Sequence, residues 1–562
     1  MNASPIERII AMTARFATLL ALWLAVVLFA PMARADAPMA ALKGHVSSAA
    51  EGAMEGVVVS ATRPGSTVTV SVVTDQNGNY AFPAARLAAG HYFLGTRADG
   101  YELDGAGVAD LAKGKTTIAD LTLRKTRNLA AQLNDAEWMA SIPGTDAQKK
   151  FLLNCNECHS LQRIVQSTHT ADEFLQVFQR MATWCPCSTS MRPQKLKASR
   201  AMPPMGDLAG AATYLASINL SQGPEWTYPL KTLPRASGRA TRVIVTEYAL
   251  PRPTIEPHDV VVDKDGIVWF SEFGDMALGR LDPRTGKVAE YPIPRLKSDA
   301  PPGELNLELG TNDDLWIGLQ FQAGFAHFDK KTRKATVYSV PKEWNGDSAQ
   351  VGFVSAASSK ADGKVWFKNA NPNSFFRLDL ATQKIESLGV PKDPKTGKIL
   401  GAYGIPIDSH NNVYLLDFGS DTVGRIDAKT LEISAWHTPT AASRPRRGRF
   451  DAQDRLWFAE YGANAVAMFD PKTTQFQEFV MPTAWTSPYD VTADRNGEVW
   501  TASMFTDRVV RLDPKTGRTV EYPLPEPVTN IRRVFVDNST SPVTFWAGSN
   551  HNAGILKVEP LD

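Results

Sequence analysis

Val268-Trp269-Phe270-Ser271-Glu272-Phe273-Gly274-Asp275-Met276-Ala277-Leu278-Gly279-Arg280-Leu281-Asp282 decides how more than half of the chain is read. Two short apolar runs flank a turn, and an aromatic stands 13 residues before an acidic strand end. The spacing recurs from Trp316 to Asp329, Trp366 to Asp379, Tyr414 to Asp427, Trp457 to Asp470 and Trp500 to Asp513, with a weaker copy from Trp546 to Glu559. Successive aromatics are 43 to 50 residues apart, enough for four short strands per unit and the period of a propeller blade. A helical solenoid of similar period would show 3.6-residue spacing, whereas Val260-Val261-Val262 and Val268-Trp269-Phe270 are strands bounded by Asp265-Gly266. Seven units predict a seven-bladed β-propeller over residues 241–562. The last copy has no room for an outer strand, and Val245-Thr246-Glu247-Tyr248-Ala249-Leu250-Pro251 matches the outer strands Val288–Pro294 and Val520–Pro525, so this early strand is expected to complete it.

Upstream stands Cys155-Asn156-Glu157-Cys158-His159. Two thiols on one side of a helical turn, followed at once by a histidine, form the arrangement that fixes a c-type haem by two thioethers and ligates its iron. A redox CxxC pair does not need the histidine. A zinc site wants a second pair at matching spacing, and Cys185-Pro186-Cys187 is tighter than that. In an oxidising compartment Cys185 and Cys187 are expected to pair, either as a structural bridge or as a labile redox disulfide. Around the motif, Thr145-Asp146-Ala147-Gln148 reads as a capping box, Ala171–Ala182 has helical periodicity and Leu208–Ile218 gives a last apolar-faced helix.

These five residues resemble the cytochrome c family, which implies an all-α haem domain over residues 130–221 and one covalent haem c. Cys155 and Cys158 would be its thioether residues and His159 an axial ligand. In the bacterial class resembled, the sixth ligand lies in a Met-Pro-Pro turn before the closing helix, which points to Met202, with Met205 as second choice. Met181, Met191 and His169 are further candidates, and core filling is the ordinary use of each losing methionine.

The chain has 562 residues, 60 Lys plus Arg against 59 Asp plus Glu, and 43% hydrophobic residues. That balance predicts a multidomain soluble protein with no field to gather nucleic acid. Arg8 and Arg15 precede an apolar run, Phe16–Ala30, and Ala33-Arg34-Ala35 offers a signal-peptidase site. Residues 1–35 are therefore expected to be a signal peptide cleaved after Ala35, leaving a periplasmic chain with no transmembrane segment. Residues 40–125 read as short strands with Asn77-Gly78 as a hairpin turn. Leu42–Val46, Thr74–Phe82, Gly90–Phe93 and Gly100-Tyr101 resemble the carboxypeptidase regulatory-like domain, a β-sandwich whose name implies no peptidase. It is read as a spacer or docking module, with His45 and His91 as strand histidines. Residues 222–240 are read as a flexible linker, spanning roughly 25 Å.

Pro257-His258-Asp259, Val268–Gly274 and Leu278–Asp282 resemble a blade of the streptogramin B (virginiamycin B) lyase family. The resemblance implies that His258 is a base for a Cα proton and that Glu272 helps hold Mg²⁺. One repeat column holds His258, Leu305, Ser355, Tyr403, Arg446, Tyr489 and Phe535; another holds Glu272, Leu319, Asn369, Asp417, Glu460, Ser503 and Ser549. Both are expected at the channel end, making a polar pocket of Tyr403, Arg446, Glu460 and Tyr489. A departure from the lyase pattern is that only one blade has the histidine. Three functions follow: a c-type cytochrome transferring electrons, whose propeller binds a redox partner protein or small-molecule donor and which as an enzyme would be an oxidoreductase; a Mg²⁺-dependent C–O lyase; and a non-catalytic docking scaffold.

Overall fold

The computed structural model describes residues 39–189, 191–199 and 207–562. The expected signal peptide and both preferred sixth ligands, Met202 and Met205, lie outside them. No described helix is long and apolar enough to cross a membrane.

Seven sheets make up the repeat region. Their strands run through residues 257–292, 307–339, 353–389, 413–437, 445–480, 488–523 and 534–560. The inner strand Pro257–Val262 neighbours both Leu307–Leu309 and Val534–Asp537, so the ring closes on itself. The fourth sheet has three strands, and its inner edge is reduced to the bridges Gly404–Leu416 and Ile407–Val413.

Two side-chain bonds explain the repeat. Each acidic strand end caps the turn that follows it: Asp282 accepts from the Arg284 amide, Asp329 from Lys331, Asp470 from Lys472 and Asp513 from Lys515. In three blades a second aspartate, six residues before the aromatic, accepts the indole N–H: Asp263 from Trp269 at 2.8 Å, Asp451 from Trp457 at 2.9 Å and Asp494 from Trp500 at 2.9 Å. The turn and the buried ring are thus fixed together. Sequence reading found the first aspartate of each unit and missed the second.

Val243–Ala249 pairs antiparallel with Gly554–Pro560 and so completes the seventh blade. Its other edge pairs with Val68–Val73 of the N-terminal domain. One sheet of that domain is therefore continuous with the last blade. This is not the separate spacer the sequence suggested: Ile244 joins the same buried core as Val59, Val72, Phe82 and Leu94, and Arg97 pairs with Asp507 at 2.8 Å.

Between these β regions the described residues form five short helices: α1 (Asp135–Ser141), α2 (Asp146–Lys149), α3 (Gln162–Val165), α4 (Ala171–Met181) and α5 (Leu208–Ile218). Thr145 and Gln148 form the expected capping box; Asn134 and Glu137 form another at α1, which sequence reading missed. The helical segment does not hang on a flexible tether. Trp138, Leu152 and Leu153 share one core with Tyr461, Tyr489, Met504 and Phe505 of the ring. The expected linker is docked as well. Trp226 packs at a tilt on Trp138 with ring centroids 5.4 Å apart, the Leu233 amide donates to Glu137 at 2.8 Å, and Arg235 holds Glu51 at 2.5 Å.

Candidate functional site

The Cys155–His159 motif follows a 3₁₀ turn, Lys150–Asn154, and is itself a bend rather than the helical turn expected. The ring takes up the hydrogen bonds that a helix would have used. Asn530 donates to the Asn156 carbonyl at 3.0 Å, Arg532 to the Glu157 carbonyl at 2.5 Å, and the fully buried Asn156 side chain to the Met504 carbonyl at 3.1 Å. The motif is thereby clamped against the propeller.

Cys155, Cys158 and His159 face a cavity of about 880 Å³. Ile164, Phe174, Val177, Phe178 and Leu215 form its apolar side, and the ring closes the other with Pro253, Val528 and His551. That volume is at the upper end of ordinary cofactor pockets, about 300–1,000 Å³. His159 Nδ1 lies 3.0 Å from the Ser160 carbonyl, which as acceptor fixes the proton on Nδ1 and leaves Nε2 its lone pair. Burial holds the imidazole below its usual pKa, and hence neutral. The residues present fit a large, flat, thioether-linked macrocycle. Among the sulfur and nitrogen groups considered for a sixth ligand, Met181, Met191 and His169 reach this cavity.

Beside the motif, Cys185 and Cys187 form a disulfide with Cα atoms 5.0 Å apart. Both are buried, and with Leu196 they pack on Phe273, Leu305 and Phe321 at the channel mouth. Gln194 donates to the Gly274 carbonyl at 3.1 Å, and Arg192 pairs with Asp275 at 2.8 Å. Residues 184–189 and 191–197 cover the propeller mouth.

Of the two repeat columns, one converges. His258 Nδ1 donates to Asp259 at 2.7 Å, which leaves Nε2 to accept from the Tyr489 hydroxyl at 3.3 Å. Tyr489 in turn shares a short hydrogen bond with Tyr403. Burial pushes the His258 pKa down to about 3, so the ring is neutral. Asp259 is held well below the usual carboxylate range against its own burial by Arg447, which grips both oxygens at 2.7 Å, and by Arg533 at 3.1 Å. Arg446 completes the group, its guanidinium 3.9 Å from the Tyr489 ring centroid.

The other column braces loops instead. Asn369 accepts from the Gln350 amide, Asp417 from the Gly419 amide, and Ser503 from the Phe505 and Thr506 amides. Glu460 is fully buried, pushed up to about 8 by that burial and then by Glu478, and lines none of the cavities described. Glu272 pairs with Arg252 at 2.9 Å, and burial followed by Glu290 pushes it up to about 10. Its place in the polar pocket is therefore corrected, as is that of Glu460: these positions end on the mouth loops, not on the channel axis. Glu272 is already bonded to Arg252 and belongs to no set of three ligand atoms among the described residues, which does not fit Mg²⁺, an ion that wants several oxygen ligands in an octahedron. Among the described residues one set of three carboxylates could hold a cation, Asp263, Asp265 and Asp313, and Lys330 lies on two of them.

Residues 336–512 and 400–559 match the virginiamycin B lyase family, and residues 41–124 match the carboxypeptidase regulatory-like domain. The ring is a virginiamycin B lyase-like propeller. Neither match reaches the Cys155–His159 motif. Among solved structures, virginiamycin B lyase from Staphylococcus aureus is 22% identical over 56% of this chain and 99% of its own, with a TM-score of 0.48. A streptogramin B lyase gives 22%, 57%, 99% and 0.49, and an inactive variant of the S. aureus lyase with quinupristin gives 20%, 56%, 99% and 0.48. No curated protein matches the chain.

Proposed function

We propose that the chain is an exported c-type cytochrome that transfers electrons, with a lyase-like propeller recruited to hold and flank its haem segment. One observation carries this reading: Cys155, Cys158 and His159 face a single large cavity with an apolar wall. Cys155 and Cys158 would hold the haem by thioethers, and His159 would offer Nε2 to the iron while the Ser160 carbonyl orients its ring. Bound there, the haem supplies one-electron redox chemistry. Phe174, Phe178 and Leu215 keep water off that face. Met202 remains our candidate for the sixth ligand, with Met205 second. The reading places the protein in the periplasm, receiving electrons from a partner protein or a small-molecule donor.

The family match over residues 336–559 and the buried His258–Asp259 pair favour a second reading, a C–O lyase acting on a cyclic ester. Against it, the His258 Nε2 lone pair is engaged by Tyr489, Glu272 is engaged by Arg252, and Cys185, Cys187 and Leu196 lie over the mouth. The full-length protein, produced with its leader in a haem-attaching host, separates the two. A haem absorbance that survives denaturing electrophoresis supports the cytochrome. Its absence, together with linearisation of an ester macrocycle in Mg²⁺, replaces that reading with the lyase.

A further inference from the structure

The hydrogen bonds that lead outward from Asp259 all run in one direction. Arg447 and Arg533 hold Asp259 ionised, so it can only accept, and the His258 proton is fixed on Nδ1. Nε2 is then an acceptor, and the Tyr489 hydroxyl must be its donor. A hydroxyl carries one proton, so in the short bond between the two phenols Tyr403 donates and Tyr489 accepts. The proton of Tyr403 is thereby committed inward. What its oxygen offers to anything else is a lone pair.

Tyr403 lines a cavity of about 190 Å³ together with Arg446, Arg532, Glu157, Gln320 and Gln350. At roughly 30 Å³ per water-sized group it holds about six such groups. Leu196, Phe321, Gln350 and Asn371 also line an outer cavity of about 310 Å³, so the way in passes Leu196. Charge is answered within the chamber, since the Glu157 carboxylate acts on Arg446. Hydrogen bonding is not. Gln320 donates to Gln350 Oε1 at 3.3 Å, but its own Oε1 is buried with no hydrogen-bond partner, and so is Arg446 Nε. Buried polar atoms left unpaired are costly, and here they are two acceptors, Tyr403 Oη and Gln320 Oε1, facing a guanidinium donor. A neutral group with two N–H bonds beside a carbonyl answers all three at once.

We infer that this chamber is a binding site for a small neutral primary amide, a carboxamide or urea of no more than about six non-hydrogen atoms, and that Tyr489 sets its selectivity by fixing the direction of the hydrogen bond at Tyr403. Tyr489 is a positioning residue in this site: it acts through Tyr403. The site stands on the channel's own residues and goes beyond the haem reading.

The test is calorimetric titration of the full-length protein with acetamide, with acetone, which has the same shape and carbonyl but no N–H, and with acetate, which adds the charge. Saturable binding of acetamide is expected, with acetone and acetate each weaker by about tenfold or more, the loss that one missing hydrogen bond brings. Tyr489→Phe frees the Tyr403 proton to turn outward and donate, so the preference for acetamide over acetone should fall toward one. Tyr403→Phe removes the acceptor and should weaken acetamide about tenfold while leaving acetone unchanged, which keeps the test decisive if Tyr489→Phe fails to fold. The proposal is overturned if acetamide does not bind, if acetone or acetate binds as well as acetamide, or if Tyr403→Phe binds acetamide unchanged. A folded Tyr489→Phe protein that keeps the full preference overturns the role of Tyr489.

Discussion

The two cavities enclosed between the helical segment and the ring are made of opposite materials. The larger takes two thiols, an imidazole and a wall of Phe174, Phe178 and Leu215; the smaller takes two arginines, the acidic Glu157, a phenol and amides. They are neighbours, since Glu157 lines both. Apolar lining lowers the free energy of a large flat group by removing its surface from water, whereas buried charge selects by sign and size. Adjacent chambers can therefore take different ligands, because the side chains at each are specific to one.

The largest expected effect breaks the first half of that contrast. Cys155→Ala or Cys158→Ala should remove all haem that survives denaturing electrophoresis from at least one attachment, and the double variant should retain none. A double variant that still carried covalent haem would end the assignment.

The second concerns the charge state around the channel. His258 is neutral because burial pushes its pKa to about 3. As pH falls below about 6.5 the unfolded chain binds that proton and the folded one does not, so stability is lost on the acid side. Glu460 is pushed up to about 8, so above about 4.5 the folded state holds a proton that the unfolded state has released. Stability is then lost as pH rises toward 8. Glu460→Gln should remove that alkaline limb, with a relative gain on the order of 2–4 kcal/mol between pH 5 and 9, measured by urea unfolding at both pH values. Equal stability differences at pH 5 and 9 would show that Glu460 is ionised in the fold.

Tyr489→Phe comes third. It leaves His258 Nε2 buried without a donor and breaks the bond to Tyr403, which should cost about 1–3 kcal/mol while leaving the haem spectrum unaltered. A change in that spectrum would mean that the two cavities are coupled through the motif. Smallest is Arg192→Ala. Its pair with Asp275 is about a third exposed on each side, and the loss should stay within about 1 kcal/mol. A larger loss would show that the mouth loop depends on it.

What sequence showed, it showed through local chemistry. The 13-residue spacing from aromatic to aspartate is visible because the aspartate caps its own turn. Cys155, Cys158 and His159 stand out because they lie within five residues of one another, the spacing that haem attachment would need. The structure brings His258, Tyr403, Arg446 and Tyr489 of one column into contact, and leaves Glu272 and Glu460 of the other apart from them. The second column's side chains serve loops whose shape no periodicity reports. The docking of the helical segment left no trace at all: bonds such as Asn156 to Met504 or Arg532 to Glu157 join residues hundreds of positions apart. Ring and insert each look complete when read alone.

The strand Val243–Ala249 lies between partners far apart in the chain, Val68–Val73 on one side and Gly554–Pro560 on the other. Until the final strand arrives, a long apolar edge of the closing blade is held in register by the N-terminal sheet alone. Ring closure is then the slowest kind of step, a pairing of maximal sequence separation, and the half-made sheet is a template open to neighbouring chains. The N-terminal sheet covers one edge of that strand in the finished fold. Its removal should show first as aggregation during refolding, before any loss in the finished fold.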